Sequence, residues 1–108
     1  MTHIATKDLR EYLRTLRVVL PPILPVRVRV TRMAEDDQGE CQLVRPKADA
    51  PYFVIRISKG LDAEALVHVL THEWAHALAW QSDATTLRDH GVEWGIAYAR
   101  VWTALIAE

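Results

Sequence analysis

The chain has 108 residues, half of them hydrophobic and a quarter charged, with four glycines, five prolines and one cysteine; this composition is typical of one ordinary globular domain. A single cysteine excludes an intramolecular disulfide and any metal centre built from cysteines alone. The formal net charge of −1 does not favour nucleic-acid binding by the whole chain, but residues 1–32 hold seven Lys/Arg against two Asp/Glu, so the charge is unevenly distributed.

The sequence predicts neither membrane insertion nor secretion. No stretch approaches the roughly 18–20 consecutive apolar residues that a membrane-spanning helix needs. The first eight residues lack the basic and apolar regions of a secretory signal peptide. We therefore expect a cytoplasmic protein without membrane contact, in which residues 1–108 form a single domain.

The chain begins with a predicted amphipathic helix. Leucines spaced three or four residues apart up to position 20 predict a helix over about residues 6–20. Thr6 is its expected N-cap, with Asp8 in the first turn. Pro21 and the two prolines after it end the helix, because proline removes a backbone donor and restricts the residue before it.

Three strands are predicted next. Residues 26–30 alternate valine with arginine, which predicts a half-buried strand with the valines facing inward. Residues 35–39 form a polar turn, so residues 40–44 are expected to return as the second strand of a hairpin. Residues 52–58 give the strongest strand signal of the chain.

Two helices complete the predicted order. Asp62 is expected to cap a long helix that reaches about residue 81, and residues 82–89 are polar and typical of a loop. A last helix begins near His90 or Gly91 and carries an apolar stripe through Leu105. The order α-β-β-β-α-α predicts an α+β fold, with a small three-stranded sheet packed on helices.

The long central helix contains the sequence His72-Glu73-Trp74-Ala75-His76, an H-E-x-x-H motif. The two histidines lie about 40° apart and one turn along the helix, so both imidazoles can bind one ion. Glu73 points in a neighbouring direction, where it can deprotonate a water at the metal. Apolar residues are predicted on both sides of this helix, and unpaired polar groups there would cost a few kcal/mol each.

His90 is the best candidate for a third ligand, because the predicted loop lets the chain turn back and Gly91 eases close backbone approach. Glu93, Asp83 and Asp89 are candidate acceptors that would orient His90, and any of these carboxylates could be the third ligand instead.

Each of these signals has a structural alternative. A bare H-E-x-x-H also occurs by chance in helices, and the downstream histidine is what favours a metal site. His3 and His68 have no comparable context, so we expect a frayed terminus and a partly exposed helix residue. The four tryptophans are expected in the core, and Cys41 is expected to be a small buried or half-buried apolar residue.

Basic residues of the N-terminal region form a second candidate site. They recur at helical spacing on the first helix and continue on the polar face of the first strand, and such a stripe can follow a phosphate backbone. The alternative is a solvated helix face. The candidate DNA-binding residues are Lys7, Arg10, Arg14, Arg17, Arg27 and Arg29.

The run from His72 to Trp80, followed by Asp89-His90-Gly91-Val92-Glu93-Trp94, resembles the SprT-like metallopeptidases, whose pattern is H-E-x-x-H, a loop and H-G-x-x-[WF]. The resemblance is strong over about residues 52–102 and only topological before them. It implies a minimal zincin-like fold with one Zn²⁺ per chain, bound by three histidines, and Glu73 as catalytic base. It also suggests DNA-associated proteins as substrates. Val92 replaces a proline common in the family.

The leading hypothesis is therefore a zinc metallopeptidase that acts on proteins or peptides. Tyr98 and Arg100 are candidate stabilisers of the oxyanion, and the strand at residues 52–58 is a candidate sheet edge where an extended substrate adds. One alternative is a DNA- or protein-binding module with a zinc site and little proteolysis. Another is a zinc hydrolase of a non-peptide bond, because the motif does not specify the bond that is attacked.

Overall fold

The computed structural model describes residues 8–80 and 91–106. Along the chain lie α1 (Leu9–Val19), β1 (Val26–Thr31), β2 (Gly39–Val44), β3 (Tyr52–Ser58), α2 (Ala63–Ala79) and α3 (Val92–Ile106). This order confirms the predicted α+β fold, with the H-E-x-x-H motif on α2. Among these elements, no helix is both long enough and apolar enough to cross a membrane.

The sheet has the order β1-β3-β2, so the predicted hairpin between β1 and β2 is wrong. β1 pairs with β3 in parallel and β2 pairs with β3 in antiparallel orientation. The physical reason lies in β3, where Phe53, Val54, Ile55 and Ile57 are all buried. A strand that is apolar on both faces is most stable in the centre of a sheet. The prediction that β3 forms a sheet edge is therefore also wrong.

Helix α1 begins slightly later than predicted. Asp8 is the N-cap, and its carboxylate accepts a hydrogen bond from the backbone N–H of Glu11 at 3.0 Å. This bond satisfies a free donor of the first turn; the predicted cap, Thr6, lies outside the described residues. Tyr12 and Leu16 are buried on the inner face of the helix.

The core forms where α1, the sheet, α2 and α3 meet. Trp74 of α2 is fully buried, and its indole N–H donates to the carbonyl of Leu20 at 2.9 Å, which joins α2 to the end of α1. The valine face of β1 is only partly covered, because Val26 is buried whereas Val30 is 49% exposed. The prediction of an inward valine face therefore holds for the first part of the strand only.

Candidate metal centre

Helix α2 carries the motif and is covered on more than one side. Asp62 caps it as predicted, with its carboxylate accepting from the N–H of Ala65 at 2.8 Å. The helix packs against α3, β2 and β3. Polar residues of this helix are consequently buried together with its apolar ones: Thr71, Glu73 and His76 are all buried.

The two motif histidines converge as the spacing predicts. Their Nε2 atoms are 3.3 Å apart. Two nitrogen ligands at the Zn–N distance of about 2.0–2.1 Å and a tetrahedral angle would be separated by about 3.3 Å. The pair therefore fits simultaneous binding of one tetrahedral ion, and His76 is only 7% exposed.

Glu73 lies beside this pair and is 7% exposed. Its Oε2 atom is 4.0 Å from Nε2 of His72, and the ligand atoms of His72, Glu73 and His76 all lie within 4.8 Å of one another. Burial, and secondarily the negative charge of Glu40, raises the pKa of the Glu73 carboxyl to about 7. The three residues form a group that could hold a metal ion.

Cys41 on β2 experiences the same environment. Burial raises the pKa of its thiol to about 12, with smaller contributions from Glu73 and Glu40. The thiol therefore stays protonated at neutral pH, whereas metal binding and nucleophilic attack require the thiolate. Cys41 packs against the core as a half-buried apolar residue, as predicted.

Gly39 allows β2 to approach α2 closely at the position of Glu73. A Cβ atom on Gly39 would lie 2.5 Å from Cγ1 of Val69, 3.2 Å from the carbonyl oxygen of Arg56 and 3.3 Å from Cγ of Glu73. Only glycine fits between the helix and the backbone of β3 without displacing them. This contact fixes the start of β2 against the candidate metal centre.

Trp94 of α3 covers both histidines. Its ring centroid lies 5.1 Å from that of His72 and 5.7 Å from that of His76. Its indole N–H also donates to the backbone carbonyl of His72 at 3.3 Å. Trp94 therefore restricts the orientation of the candidate ligands, a contact that sequence analysis missed by assigning Trp94 to the core.

An aromatic row continues along α3 at intervals of one turn. Tyr98 packs 5.1 Å from Trp94 and 6.5 Å from Trp102 between ring centroids. Trp102 in turn packs 4.8 Å from His68, which lies one turn before His72 on α2. Matching intervals of four residues in both helices are the sequence signal that could have identified this packing.

A cleft of about 470 Å³ opens over the metal centre. Its lining comes from three parts of the molecule: the segment before β2, one face of α2, and α3. The lining residues are Glu35, Asp36, Asp37, Gln38, Gly39, His68, Val69, His72, Glu73 and Tyr98. Sequence analysis treated residues 35–39 only as a turn and missed their place in the cleft, because the order of the strands was not predicted correctly.

The other candidate site residues are distributed unevenly. Tyr98 lines the cleft, whereas Arg100 is exposed and is not among its lining residues. Glu93 is exposed at the start of α3. The predicted third ligand His90, together with Asp83, Asp89 and Lys7, lies outside the described residues.

The described residues of the basic stripe do not line the cleft. Arg10, Arg14 and Arg29 are exposed. Arg17 donates to the carbonyl of Val26 at 3.0 Å, and the guanidinium of Arg27 lies 3.9 Å from the centre of the Tyr52 ring. Two of these five arginines therefore have structural contacts as well as charge.

Comparison with known families agrees with this geometry. A model of the SprT-like family matches residues 9–106. This chain belongs to the SprT-like family. The SprT-like match spans all six elements of the fold and includes His90 and the segment before it. Searches of curated proteins and of solved structures return no significant match.

Proposed function

We propose that this SprT-like chain is a zinc-dependent peptidase. The observation that carries the proposal is the placement of two imidazole nitrogens 3.3 Å apart beside a buried carboxylate, with His72 and Glu73 lining an open cleft. Pairs of imidazoles with a nearby carboxylate are typical of catalytic zinc sites, which need an accessible position for substrate.

The proposed ligands are His72, His76 and His90. Imidazole ligands favour zinc over the hard cations, which prefer oxygen. Zn²⁺ bound there would polarise the carbonyl of the scissile bond and increase the acidity of a water molecule. Zinc analysis of His90→Ala tests the third ligand: loss of zinc supports the histidine, and full retention would indicate one of the carboxylates, Asp83, Asp89 or Glu93.

Glu73 is the proposed general base. It would take a proton from the attacking water as the new C–O bond forms, and would then transfer that proton to the leaving amine as the C–N bond breaks. The buried position of Glu73 beside the ligand atoms of His72 and His76 suits both steps, because it places the carboxylate next to a water at the metal. Tyr98, whose side chain lines the same cleft, is the proposed hydroxyl donor to the developing oxyanion.

The substrate is proposed to lie extended along β2. In the described sheet, β2 is an edge strand, and its first residue, Gly39, lines the cleft. A peptide that adds to a sheet edge is held through its backbone, so recognition by β2 would require an unfolded segment of the substrate and little defined sequence.

The decisive test is Glu73→Gln, with Glu64→Gln in the exposed first turn of the same helix as the matched control. We expect wild type and both variants to contain about one zinc per chain by elemental analysis, because neither residue is a proposed ligand. Cleavage of unfolded casein should fall by about 10²–10⁴-fold in Glu73→Gln only. Full activity in Glu73→Gln would eliminate the proposed mechanism.

Binding of DNA is a second proposed activity, favoured by the exposure of Arg10 and Arg14. In the described parts of the chain, no acidic side chain pairs with either guanidinium. Cations without an acidic partner can bind phosphates without first breaking an ion pair. A steep dependence of duplex affinity on salt concentration would support this activity.

A further inference from the structure

Helix α3 has an exposed, largely apolar face in addition to the face that packs on α2. Val92 and Ile96 are 73% and 59% exposed, and Ala99 and Thr103 are exposed as well. These four residues, called here the α3 stripe, follow one another at intervals of four, three and four residues. The same intervals separate the contact positions of a two-stranded coiled coil. The α3 stripe therefore has the pattern of a surface that packs on another helix.

The α3 stripe faces away from the candidate metal centre. At 100° per residue, the four residues of the stripe lie within about 60° of one another, and Trp94 and Tyr98 lie on the opposite side of the helix. Trp94 contacts the two motif histidines, and Tyr98 lines the cleft. A molecule bound to the stripe would therefore occupy the side of α3 that is remote from His72 and His76.

Two opposite charges flank the α3 stripe along one of its edges. Glu93 follows Val92, Arg100 follows Ala99, and both charged side chains are exposed. They lie seven residues apart, or about 10 Å along the helix axis, which is too far for them to pair with each other. Within residues 8–80 and 91–106, neither forms an ion pair. Both charges are therefore available to the molecule that covers the stripe.

The combined pattern of stripe and charges is complementary to itself. In an antiparallel pair of α3 helices, each residue of the stripe would face another residue of the same stripe, with Ile96 opposite Ala99 of the second copy. The same alignment brings Glu93 beside Arg100 of the second copy, and two-fold symmetry repeats this contact. A parallel pair would instead place equal charges at the same height. The charges therefore favour a second copy of this chain in antiparallel orientation.

We propose that the α3 stripe is a homodimer interface, in which two copies of this chain pair their α3 helices antiparallel and form two symmetric Glu93–Arg100 ion pairs. The helix has 15 residues and is about 22 Å long, so the interface is small and the dimer reversible. None of the interface residues lines the cleft. The dimer therefore does not depend on the proposed peptidase function, and it would carry its two clefts on its outer sides.

The test measures self-association of the zinc-loaded full chain by sedimentation equilibrium from about 5 µM to about 0.5 mM. It compares wild type, Glu93→Arg, Arg100→Glu and an equimolar mixture of these two variants. Each variant alone would place like charges together at both symmetric contacts. The mixed pair would restore opposite charges at both contacts, so the mixture also shows that each variant is folded and competent to associate.

A second pair of variants tests the apolar part of the interface. Ile96→Asp introduces a charge into the α3 stripe. Val18→Asp is the matched control, because Val18 is a 77% exposed apolar residue of another helix, α1. Circular dichroism checks that both variants keep the helical content of wild type.

We expect the mass of wild type to rise from that of one chain towards that of two chains as the concentration increases. Each charge variant should self-associate at least about tenfold more weakly, because like charges oppose each other across the interface. Their mixture should associate as wild type does, and Ile96→Asp should remain monomeric whereas Val18→Asp dimerises. A monomeric wild type over the whole range would overturn the interface. So would a mixture that stays monomeric, or an equal loss in Val18→Asp.

Discussion

Helices α1 and α2 both carry polar residues at regular helical spacing, but they present them to different surroundings. The arginines at positions 10 and 14 of α1 are exposed to water. On α2, Glu73 and His76 are buried between β2 and α3. Burial of a polar group costs free energy unless a partner or a ligand compensates the lost hydration, whereas an exposed charge costs almost nothing. Buried polar residues therefore indicate function more strongly than an exposed stripe does.

The two regions also differ in the sign of their charge. The stripe on α1 and β1 is basic, whereas the cleft above α2 is lined by four carboxyl groups and no lysine or arginine among the described residues. A chain with a formal net charge of −1 can therefore carry two surfaces of opposite charge. Substitutions in each region test whether this difference reflects function.

The largest effect is expected from His76→Ala, which removes one proposed ligand. Structural zinc sites with four ligands gain about 10–16 kcal/mol, so loss of one ligand should weaken zinc binding by at least about a hundredfold. Competition with a chromophoric chelator measures this affinity. His68→Ala is the matched control, because His68 lies two turns earlier on the same face but outside the candidate ligand group. Equal losses in both variants would mean that the histidine row, and not one site, holds zinc.

Gly39→Ala is expected to have the next largest effect. The added methyl group would overlap Cγ1 of Val69 and crowd the backbone of β3 and the side chain of Glu73. Overpacking of this kind costs about 1–3 kcal/mol, which chemical denaturation can measure. Gly95→Ala is the control, because a Cβ there meets no atom within 4 Å outside the backbone of its own helix; alanine should leave stability unchanged or raise it by up to about 1 kcal/mol. If Gly39→Ala were as stable as wild type, the close approach of β2 to α2 would be wrong.

Trp94→Phe should have a smaller effect that is confined to the metal centre. It keeps an aromatic ring against His72 and His76 but removes the indole N–H that donates to the carbonyl of His72. Loss of one such hydrogen bond corresponds to about 0.5–1.5 kcal/mol, or roughly two- to tenfold in zinc affinity. Trp102→Phe, in the same aromatic row but next to His68, should leave zinc affinity unchanged. Equal affinities of Trp94→Phe and wild type would show that the contact does not orient the ligands.

Much of the fold was predictable from the sequence because its signals are local. Asp62 as a cap and the H-E-x-x-H spacing depend on neighbours within one or two helical turns, and the structure agrees with both. Strand order depends on contacts between distant residues. The alternation in β1 and the turn at residues 35–39 suggested a local hairpin, but the apolar faces of β3 favour its central position between β1 and β2.

The same limitation applies to the site. His72, Glu73 and His76 could be identified because one helix places them together. Residues 35–37 reach the cleft, and Trp94 reaches the two motif histidines, from other parts of the chain. Their placement follows from the packing of β2 and α3 against α2. Their roles could not be inferred before the strand order and the helix pairing were known.

The exposed arginines of α1 should have the smallest effect on the fold. Arg10→Gln/Arg14→Gln is expected to change the free energy of unfolding by no more than about 0.5 kcal/mol, because both side chains are solvated.

If the stripe binds DNA, each lost phosphate contact should reduce the slope of log affinity against log salt concentration by about 0.9. Titrations of duplex DNA at several salt concentrations measure this slope. The control pair Arg45→Gln/Lys59→Gln removes two exposed cations outside the stripe. The same slope in wild type and in Arg10→Gln/Arg14→Gln would mean that the stripe is only a solvated helix face. The arginines of α1 would then be charges that the fold accommodates at its surface, in contrast to Glu73 and His76, which α2 holds buried at the candidate metal centre.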